Sequence, residues 1–411
     1  IYLHETNQGA FSDEQGKFCI RNIKKGKYHI HISFVGYKSQ TLDLVIQTAN
    51  NPNLEIILLK SSLELNELII ESNPMKLSQE ESSLNIQVLN QESLLKNHGI
   101  TLMQSLEQVA GVNSINMGVA VSKPVIRGLS GNRVLVNQNG IKQEGQQWGG
   151  DHGLEIDQFD LERIEIIKGP NSLLYGSDAM GGVINIKAPK IYINGTHQSE
   201  VLVLGRSLNQ SLGLSAFAAG AEKDFFYRVR ISAIDYGDYK VPADNFIYNT
   251  YVLPINNRTL KNTAGRELHN SIQLGINKNW GYSSISISNY NQKIGIFPGA
   301  IGIPRFYQLT DDGNNRNVGL PSQDINHFKI ISNSNIKIKN AWLELDFAYQ
   351  NNLRSENSVP HAHGYAPDTN NTTAHLLRLE TISGLSRLNI PQGKNMEAIT
   401  GVSGFYQWHN Y

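Results

Sequence analysis

The sequence LERIEIIKGPNSLLYGSDAMGGVINI, residues 161–186, reads as two strands joined by a stretch rich in turn residues. Gly169-Pro170 and Tyr175-Gly176 place tight turns within it, and Gly181-Gly182 allows close backbone approach before the strand Val183–Ile186. Its GSDAMGG segment has the glycines of a phosphate-binding loop, but it lacks the Lys-Ser/Thr ending and precedes a strand. The stretch therefore predicts a strand–turn–strand unit and gives no support to a nucleotide site.

Two segments before this unit extend the pattern. LMQSLEQVAGV, residues 102–112, predicts a short helix that ends near Gly111, and PVIRGLSGNRVLVNQNGI, residues 124–141, predicts two strands before an Asn139-Gly140 hairpin turn. In this order and spacing, the three segments resemble the plug domain of TonB-dependent outer-membrane receptors over about residues 76–190. The resemblance implies a location in the outer membrane of a Gram-negative bacterium, with the periplasmic TonB protein and outer-membrane lipid as partners.

The composition limits the classes of protein. Lys plus Arg and Asp plus Glu each total 36 of 411 residues, so the formal net charge is zero and gives no reason to expect a nucleic-acid partner. Charged residues make up 18% of the chain, below the ~25% of ordinary soluble domains. No apolar run approaches the ~18 residues of a membrane helix, which excludes a helical membrane protein but allows a β-barrel.

Residues 1–60 predict a small antiparallel β-sandwich. The run Tyr28–Phe34 alternates apolar and polar residues, and its His29 and His31 are interpreted as outward strand positions, with a metal pair as the alternative. The segments SDEQGKF and SFVGYKSQ resemble the carboxypeptidase-regulatory-like domain. Because the chain starts with IYLHETNQG and has no initiator Met, we expect this domain to be truncated at its N-terminus. A single cysteine, Cys19, rules out an internal disulfide framework and is expected in the core.

Residues 61–75 are predicted to link this domain to the plug. Within them, Glu67-Leu68-Ile69-Ile70-Glu71-Ser72 is a short β-prone run before Asn73-Pro74. A free, extended segment of this kind suits addition to the sheet edge of a partner. The resemblance implies that the run stands where the family carries its TonB box, and a plain interdomain linker is the alternative.

Residues 191–411 predict the first part of an antiparallel outer-membrane β-barrel. Val229 and Ile231 alternate with Arg228 and Arg230, which gives one apolar and one polar face, as a wall between lipid and a wet lumen requires. Nine strands are predicted near 198–208, 209–221, 225–237, 264–278, 280–293, 324–338, 340–355, 374–389 and 394–411. The family's barrels have roughly 22 strands, so the resemblance implies an incomplete barrel, truncated at its C-terminus.

Loop lengths support the barrel. After the first hairpin, short connections alternate with long ones at 238–263, 294–323 and 356–373, as in outer-membrane barrels with short periplasmic turns and long external loops. The predicted fold is therefore mainly β: a small β-sandwich, an α/β plug and a partial barrel. The charged plug residues Arg163, Glu165 and Lys168 are expected to pair with the polar inner wall.

The Gly-rich stretch QQWGGDHG, residues 146–153, contains the candidate substrate ligands. Asp151 and His152 lie between two predicted plug strands, and zinc accepts carboxylate oxygen and imidazole nitrogen, usually in a tetrahedral set. The sequence around DHG resembles the zinc-uptake branch of the family, which implies that this pair binds zinc with a barrel carboxylate and a barrel histidine. Trp148 either covers the site or anchors the loop against the barrel.

Barrel residues are candidates for the remaining ligands. Glu356 shares parity with Glu344 and Asp346, so it faces the lumen if the register of the strand persists to its end. YQNNLRSE resembles the strand end that carries the barrel carboxylate in the family. His361 and His363 lie in HAHG of an expected external loop, where they could capture a metal before it reaches the plug. The family's barrel histidine is expected beyond the last residue, with His361 or His363 as substitutes.

These patterns predict a TonB-dependent receptor that imports a transition-metal ion, zinc first, as cargo and without a permanent cofactor. A haem or siderophore receptor is one alternative, because the histidine-rich stretch of some zinc receptors is reduced here to HAHG. An oligosaccharide or peptide receptor is another, although Trp148 is the only aromatic residue evident at the predicted plug apex. An enzyme is not expected, since no HExxH or GxSxG motif occurs.

Overall fold

The structure is a computed structural model whose chain divides into two compact units, Ile1–Glu71 and Ser72–Tyr411. The domain boundaries predicted at residues 60, 75 and 190 stay predictions. The residues that the structure describes are 2–3, 8–10, 12–13, 16–20, 23–32, 40–46, 54–58, 86–146, 149, 152–169, 172, 175–187, 192, 194–248, 250–298, 312–359, 371–392 and 397–410.

The first unit contains four strands: β1 (Tyr2–Leu3), β2 (Gln8–Gly9), β3 (Gly26–Ile32) and β4 (Gln40–Ile46). They form an antiparallel sheet in the order β2-β1-β3-β4. Tyr28, Ile30 and Ile32 occupy one face of β3 and form a core with Ile46, because side chains alternate along a strand. The described part of this unit contains this one sheet, and a second sheet of the predicted sandwich is not found there.

Two sequence expectations for the first unit have different outcomes. His29 is exposed, and its Nε2 lies 3.4 Å from Asp43 Oδ1 on the neighbouring strand, which confirms the outward position. Cys19 is exposed as well, so its expected place in the core is wrong. Phe18 and Ile20 on either side pack against the core instead. In an alternating segment, inward neighbours turn the residue between them to solvent.

The second unit begins with β5 (Ile86–Asn90), α1 (Gln91–Lys96) and α2 (Leu102–Leu106). Thr101 and Gln104 form a capping box, which fixes the start of α2 by satisfying free backbone N–H groups. Seven strands follow: β6 (Val112–Met117), β7 (Val121–Ile126), β8 (Leu129–Ser130), β9 (Val134–Gln138), β10 (Ile141–Lys142), β11 (Arg163–Ile167) and β12 (Gly182–Lys187).

These elements form a five-stranded sheet, β10-β9-β12-β11-β5, and a three-stranded sheet, β6-β7-β8. β9 and β12 are parallel, whereas β11 pairs antiparallel with β12, which confirms the predicted strand–turn–strand unit. Gly182 permits this pairing, because its φ is +147° and a Cβ there would lie 2.8 Å from the Ile167 carbonyl oxygen. Buried side chains of α2 and of both sheets form one core: Leu102, Met103, Leu106, Ile126, Val134, Val136, Ile164, Ile166, Ile184 and Ile186.

The rest of the unit is a nine-stranded antiparallel sheet, and the nine predicted strands are confirmed. In chain order, and as neighbours, its strands are β13 (His197–Arg206), β14 (Ser211–Glu222), β15 (Phe225–Tyr236), β20 (Gly265–Lys278), β21 (Gly281–Gly295), β22 (Ser322–Ile338), β23 (Ala341–Asn357), β24 (Thr373–Pro391) and β25 (Glu397–Asn410). The connection between β15 and β20 adds two small two-stranded antiparallel sheets. β16 (Tyr239–Lys240) pairs with β19 (Thr259–Leu260), and β17 (Asn245–Tyr248) forms a hairpin with β18 (Tyr251–Pro254). Across the described strands the large sheet is open, with β13 and β25 at its ends.

The two faces of the nine-stranded sheet differ in polarity, as the alternation predicts. On the outer face, Val229 and Ile231 are 41% and 52% exposed. On the inner face, Arg228 and Arg230 are buried, because residues 143–162 of the same unit pack against them. Among the helices in the described part of the chain, none has the length and apolar character needed to cross a membrane.

Candidate functional site

A connecting segment, residues 143–162, links β10 to β11 and lies on the inner face of the large sheet. It begins after the hairpin turn, where Asn139 and Gly140 have φ of +53° and +84°, values that an Asn-Gly pair adopts readily. Asn333 on β22 donates from Nδ2 to the Asn139 carbonyl oxygen at 2.9 Å. A Cβ on Gly140 would lie 2.7 Å from Asp346 Oδ2. The turn therefore fixes where the segment meets the sheet.

The start of the connecting segment is fixed by polar side chains of β22 and β23. Gln350 Nε2 donates to the Lys142 carbonyl oxygen at 2.9 Å, and Lys329 Nζ donates to Gln143 Oε1 at 3.0 Å. Gly145 has φ of +110°, and a Cβ there would lie 2.5 Å from Asn352 Nδ2. Only a residue without a side chain fits this close approach.

The Gly-rich loop brings His152 to the wall of the sheet. His152 is buried, and its Nε2 lies 2.9 Å from Glu356 Oε1 on β23. The loop is anchored on its other side, where the Lys123 ammonium of β7 donates to the Gly149 carbonyl oxygen. Gly153 lies against β7 as well, because a Cβ there would be 3.4 Å from the Ser122 backbone nitrogen.

Glu356 reaches His152 because the register of β23 continues to the end of the strand. β23 extends to Asn357, so Glu356 stays on the same inner face as Gln350 and Arg354, as the parity argument predicts. Its cross-strand partners are Gln323 on β22 and His375 on β24. His375 is exposed and shares the face of Glu356, because directly paired residues point to the same side of a sheet.

His375 is a candidate ligand that the sequence reasoning missed. Its position opposite Glu356 depends on strand pairing across a long loop, and a single sequence does not reveal that pairing. The other candidate ligands, Asp151, His361 and His363, lie outside the described residues, as do Trp148 and the run Glu67–Ser72. Within the ranges that the structure describes, no three His, Cys, Asp or Glu side chains are placed to hold a metal ion. The described part of the site is thus a His–Glu pair with a second histidine beside it.

Glu155 forms a second contact between the connecting segment and β23. Its Oε1 accepts from Arg354 Nη2 at 2.6 Å, its Oε2 lies 2.7 Å from His327 Nδ1, and Asn352 donates to the same oxygen. All four side chains are buried, and Arg354 is 0% exposed. Burial raises the pKa of the Glu155 carboxyl, but the bond to His327 and the Arg354 charge outweigh it and hold the pKa below its ordinary value.

A third set of contacts lies on β15. Asp160 Oδ1 is 2.5 Å from Arg228 Nη2, and Ser232 Oγ donates to Asp157 Oδ2 at 2.7 Å. Burial raises the pKa of Asp157 despite the opposing charge of His269. For Asp160, the nearby Arg228 charge outweighs burial and lowers the pKa. The connecting segment is therefore attached to the sheet by hydrogen bonds at its start and by charged pairs in its middle and near its end.

The sequence predicted charged contacts with the wall but assigned them to the wrong residues. Arg163 Nη2 lies 2.8 Å from Glu165 Oε1, within β11. Lys168 Nζ donates to Gln87 Oε1 at 2.9 Å and to the Ala110 carbonyl oxygen at 2.7 Å. Arg163 and Glu165 thus bind each other, and Lys168 binds β5 and the turn before β6, since β11 lies inside the five-stranded sheet. The contacts to the wall come from the loop between the strands.

Family comparison agrees with this architecture. Residues 78–183 match the TonB-dependent receptor plug domain, and residues 1–70 match the CarboxypepD_reg-like domain. The chain carries a TonB-dependent receptor plug domain. The connecting segment is part of this plug, and the nine-stranded sheet is the wall on which the plug lies. A receptor of this family is a protein of the Gram-negative outer membrane.

Curated relatives match this chain over part of their length. Over 169 residues it is 32% identical to the vitamin B12 transporter BtuB of Vibrio vulnificus, covering 38% of this chain and 27% of the relative. Over 145 residues it is 30% identical to the heme/hemopexin utilization protein C of Haemophilus influenzae, covering 32% of this chain and 20% of the relative. The chain thus spans about a quarter of the length of these relatives. Their names describe transport and utilization, and no catalytic family is indicated.

Solved structures share the fold. The copper transporter OprC superposes with a TM-score of 0.57 at 14% identity, over 80% of this chain and 46% of that structure. The siderophore receptor PirA from Acinetobacter baumannii superposes with a TM-score of 0.59 at 17% identity, over 79% of this chain and 48% of that structure. At these identities the likeness concerns the fold of plug and wall.

Proposed function

We propose that this TonB-dependent receptor imports a transition-metal ion, zinc first, through the outer membrane into the periplasm. The observation that carries the proposal is the contact of 2.9 Å between His152 Nε2 and Glu356 Oε1. One ligand comes from the plug and the other from the wall, so a cation bound between them would be released when the plug moves.

The chemistry of the donor set suits a borderline cation. Imidazole nitrogen and carboxylate oxygen bind Zn²⁺ and Cu²⁺, whereas Mg²⁺ and Ca²⁺ prefer oxygen alone. Asp151 precedes His152 in the chain, and His375 lies opposite Glu356. Together they would bring the set to the four ligands that zinc usually takes in proteins. His361 and His363 stay proposed as the external capture site.

A haem or siderophore receptor is the second candidate. Names among the relatives favour it, because they include heme/hemopexin utilization proteins and a hemin receptor, and the siderophore receptor PirA shares the fold. In that case, His152 and Glu356 would bind a metal chelate, with contacts from the long loops that the described residues do not cover.

Isothermal titration of the receptor, purified in detergent, separates these candidates. Zn²⁺, Cu²⁺ and haem are titrated into the wild type and into a variant that combines Asp151→Ala with His152→Ala. We expect Zn²⁺ binding in the wild type and a loss of at least about tenfold in the variant. Unchanged Zn²⁺ affinity in the variant would show that the plug site is wrong, and haem binding without Zn²⁺ binding would favour the second candidate.

The segment Glu67–Ser72 is proposed as the TonB box. An extended β-prone run can add to a sheet edge of its partner, and the segment precedes the plug in the chain. Its deletion should stop uptake of radioactive ⁶⁵Zn by cells but leave Zn²⁺ binding by the purified receptor unchanged. Uptake that survives the deletion would move the TonB contact to another segment.

A further inference from the structure

We propose that Glu155 is a positioning residue that keeps the Arg354 guanidinium away from the Glu356 carboxylate, the group proposed to bind the metal ion. The inference rests on the proposed function, since it concerns the same site. It assigns a role to a charged pair that the metal chemistry itself does not need.

The geometry begins on β23. Arg354 and Glu356 are two residues apart on the same face of the strand, which separates their Cα atoms by roughly 6–7 Å. An arginine side chain can span that distance, so the two groups form an ion pair unless the guanidinium is held elsewhere. In the structure it is held elsewhere, because Nη2 donates to Glu155 Oε1 at 2.6 Å and Nη1 donates to Gln323 Oε1 at 2.8 Å.

Burial makes this competition strong. Arg354 is 0% exposed and Glu155 is 3% exposed, so water does not screen the cation. A buried guanidinium that loses its carboxylate leaves an uncompensated charge. Gln323 supplies a neutral oxygen, and it is also the cross-strand partner of Glu356. The nearest anionic replacement along the strand is Glu356 itself.

The consequence is specific to the charge of Glu155. Replacing it with glutamine keeps its shape but frees Arg354 to pair with Glu356. Glu356 would then be neutralised by an internal cation and compete less well for a metal ion. Removing Arg354 in the same protein takes the competitor away and leaves Glu356 available to the metal.

Asp160 supplies a matched control. Asp160 lies on the same connecting segment as Glu155 and forms a buried ion pair with Arg228. Arg228 is on β15, away from Glu356. The replacement of Asp160 with asparagine loosens the plug in a comparable way, but the cation that it frees, Arg228, is not beside the Glu356 carboxylate.

The test is Zn²⁺ titration of the receptor purified in detergent, as wild type, E155Q, R354Q, E155Q/R354Q and D160N. We expect E155Q to bind Zn²⁺ about tenfold more weakly, and R354Q, E155Q/R354Q and D160N to stay within about threefold of wild type. A double variant as weak as E155Q, or a loss in D160N equal to that in E155Q, would overturn the proposal. If E155Q does not fold, R354Q tests the proposal instead, because a tenfold loss of Zn²⁺ affinity in R354Q would contradict the proposal.

A readout without metal separates this proposal from the proposed function. The structure of E155Q, solved without Zn²⁺, should show the Arg354 guanidinium within ion-pair distance of the Glu356 carboxylate. Arg354 left in its wild-type position would overturn the inference whether or not zinc is the cargo. Wild-type protein that does not bind Zn²⁺ would overturn the proposed function and leave this structural result to be judged independently.

Discussion

His152 and Glu356 lie 204 positions apart in the chain, and their Nε2 and Oε1 atoms are 2.9 Å apart where the plug meets β23. Gly145 lets the connecting segment approach the wall, because a Cβ there would lie 2.5 Å from Asn352 Nδ2, and the register of β23 turns Glu356 towards His152. Two independent local features therefore combine to form one contact.

Glu356→Gln should weaken Zn²⁺ binding by about 10- to 100-fold, because the amide cannot supply an anionic oxygen ligand. Glu344→Gln is the matched control, since Glu344 is also on the inner face of β23 but pairs with Arg387 at the other end of the strand. Isothermal titration measures both. Equal losses in the two variants would indicate a general effect on the wall and remove Glu356 from the site.

His375→Ala should lower the affinity for Zn²⁺ by a smaller factor than His152→Ala, because His375 lies at the exposed side of Glu356 and joins when the metal is bound. His409→Ala is the control, as His409 is on β25 and faces the same side as its partner Leu379. The measurement is competition titration with a zinc-sensitive dye. No difference between His375→Ala and His409→Ala would exclude His375 as a ligand.

The stability difference between wild type and Glu155→Gln should depend on pH. The folded pKa of Glu155 is lowered from its ordinary value of 4.5, so its ionised form stabilises the fold above pH 4.5 and this contribution is lost as the pH falls through the folded pKa. Arg354, His327 and the neighbouring Lys329 are the groups that face it. At pH 7 we expect wild type to be more stable by about 1–3 kcal/mol in the free energy of unfolding, because Arg354 loses Glu155 but gains Glu356 as a partner.

Thermal unfolding followed by circular dichroism between pH 3 and pH 7 tests this dependence. The two melting temperatures should converge at the acid end. The pKa of Asp157 is raised, so its effect on stability changes with pH in the opposite direction. Asp157 is present in both proteins, and its contribution cancels in the comparison. A difference that stays constant across this range would show that the charge of Glu155 is not what stabilises the plug.

Gly145→Ala should destabilise the receptor by about 1–3 kcal/mol more than Gly176→Ala. Both glycines have positive φ, +110° and +94°, so both variants carry backbone strain. A methyl group at Gly145 would meet Asn352 Nδ2 at 2.5 Å, whereas nothing lies within 4 Å of the same position at Gly176. Denaturant unfolding compares the two variants. Equal destabilisation would mean that the wall can move away from the plug at no cost.

The sequence predicted the parts of this fold that depend on local pattern. The alternation around Val229 and the turn residues at Asn139-Gly140 gave strands and a hairpin that the structure confirms. The inward direction of Glu356 also followed from parity, because side chains alternate along the whole of a strand.

Contacts between distant segments were not predictable in the same way. Glu155 has no special neighbours in the sequence, and its partners His327 and Arg354 lie 172 and 199 positions away. The only local signal was a charged residue, Arg354, at an inward position of a strand. Arg163 and Glu165 gave the same kind of signal but pair with each other, so charge on a strand does not reveal its partner.

The pairs His152–Glu356 and Glu155–Arg354 join one short stretch of plug to one short stretch of β23. These two stretches therefore form one structural unit. A chimaera that takes its plug from one receptor and its wall from another would separate an arginine from the acid that restrains it. Exchanging residues 152–155 together with 354–356 is the smallest graft that transfers the site with its restraint intact.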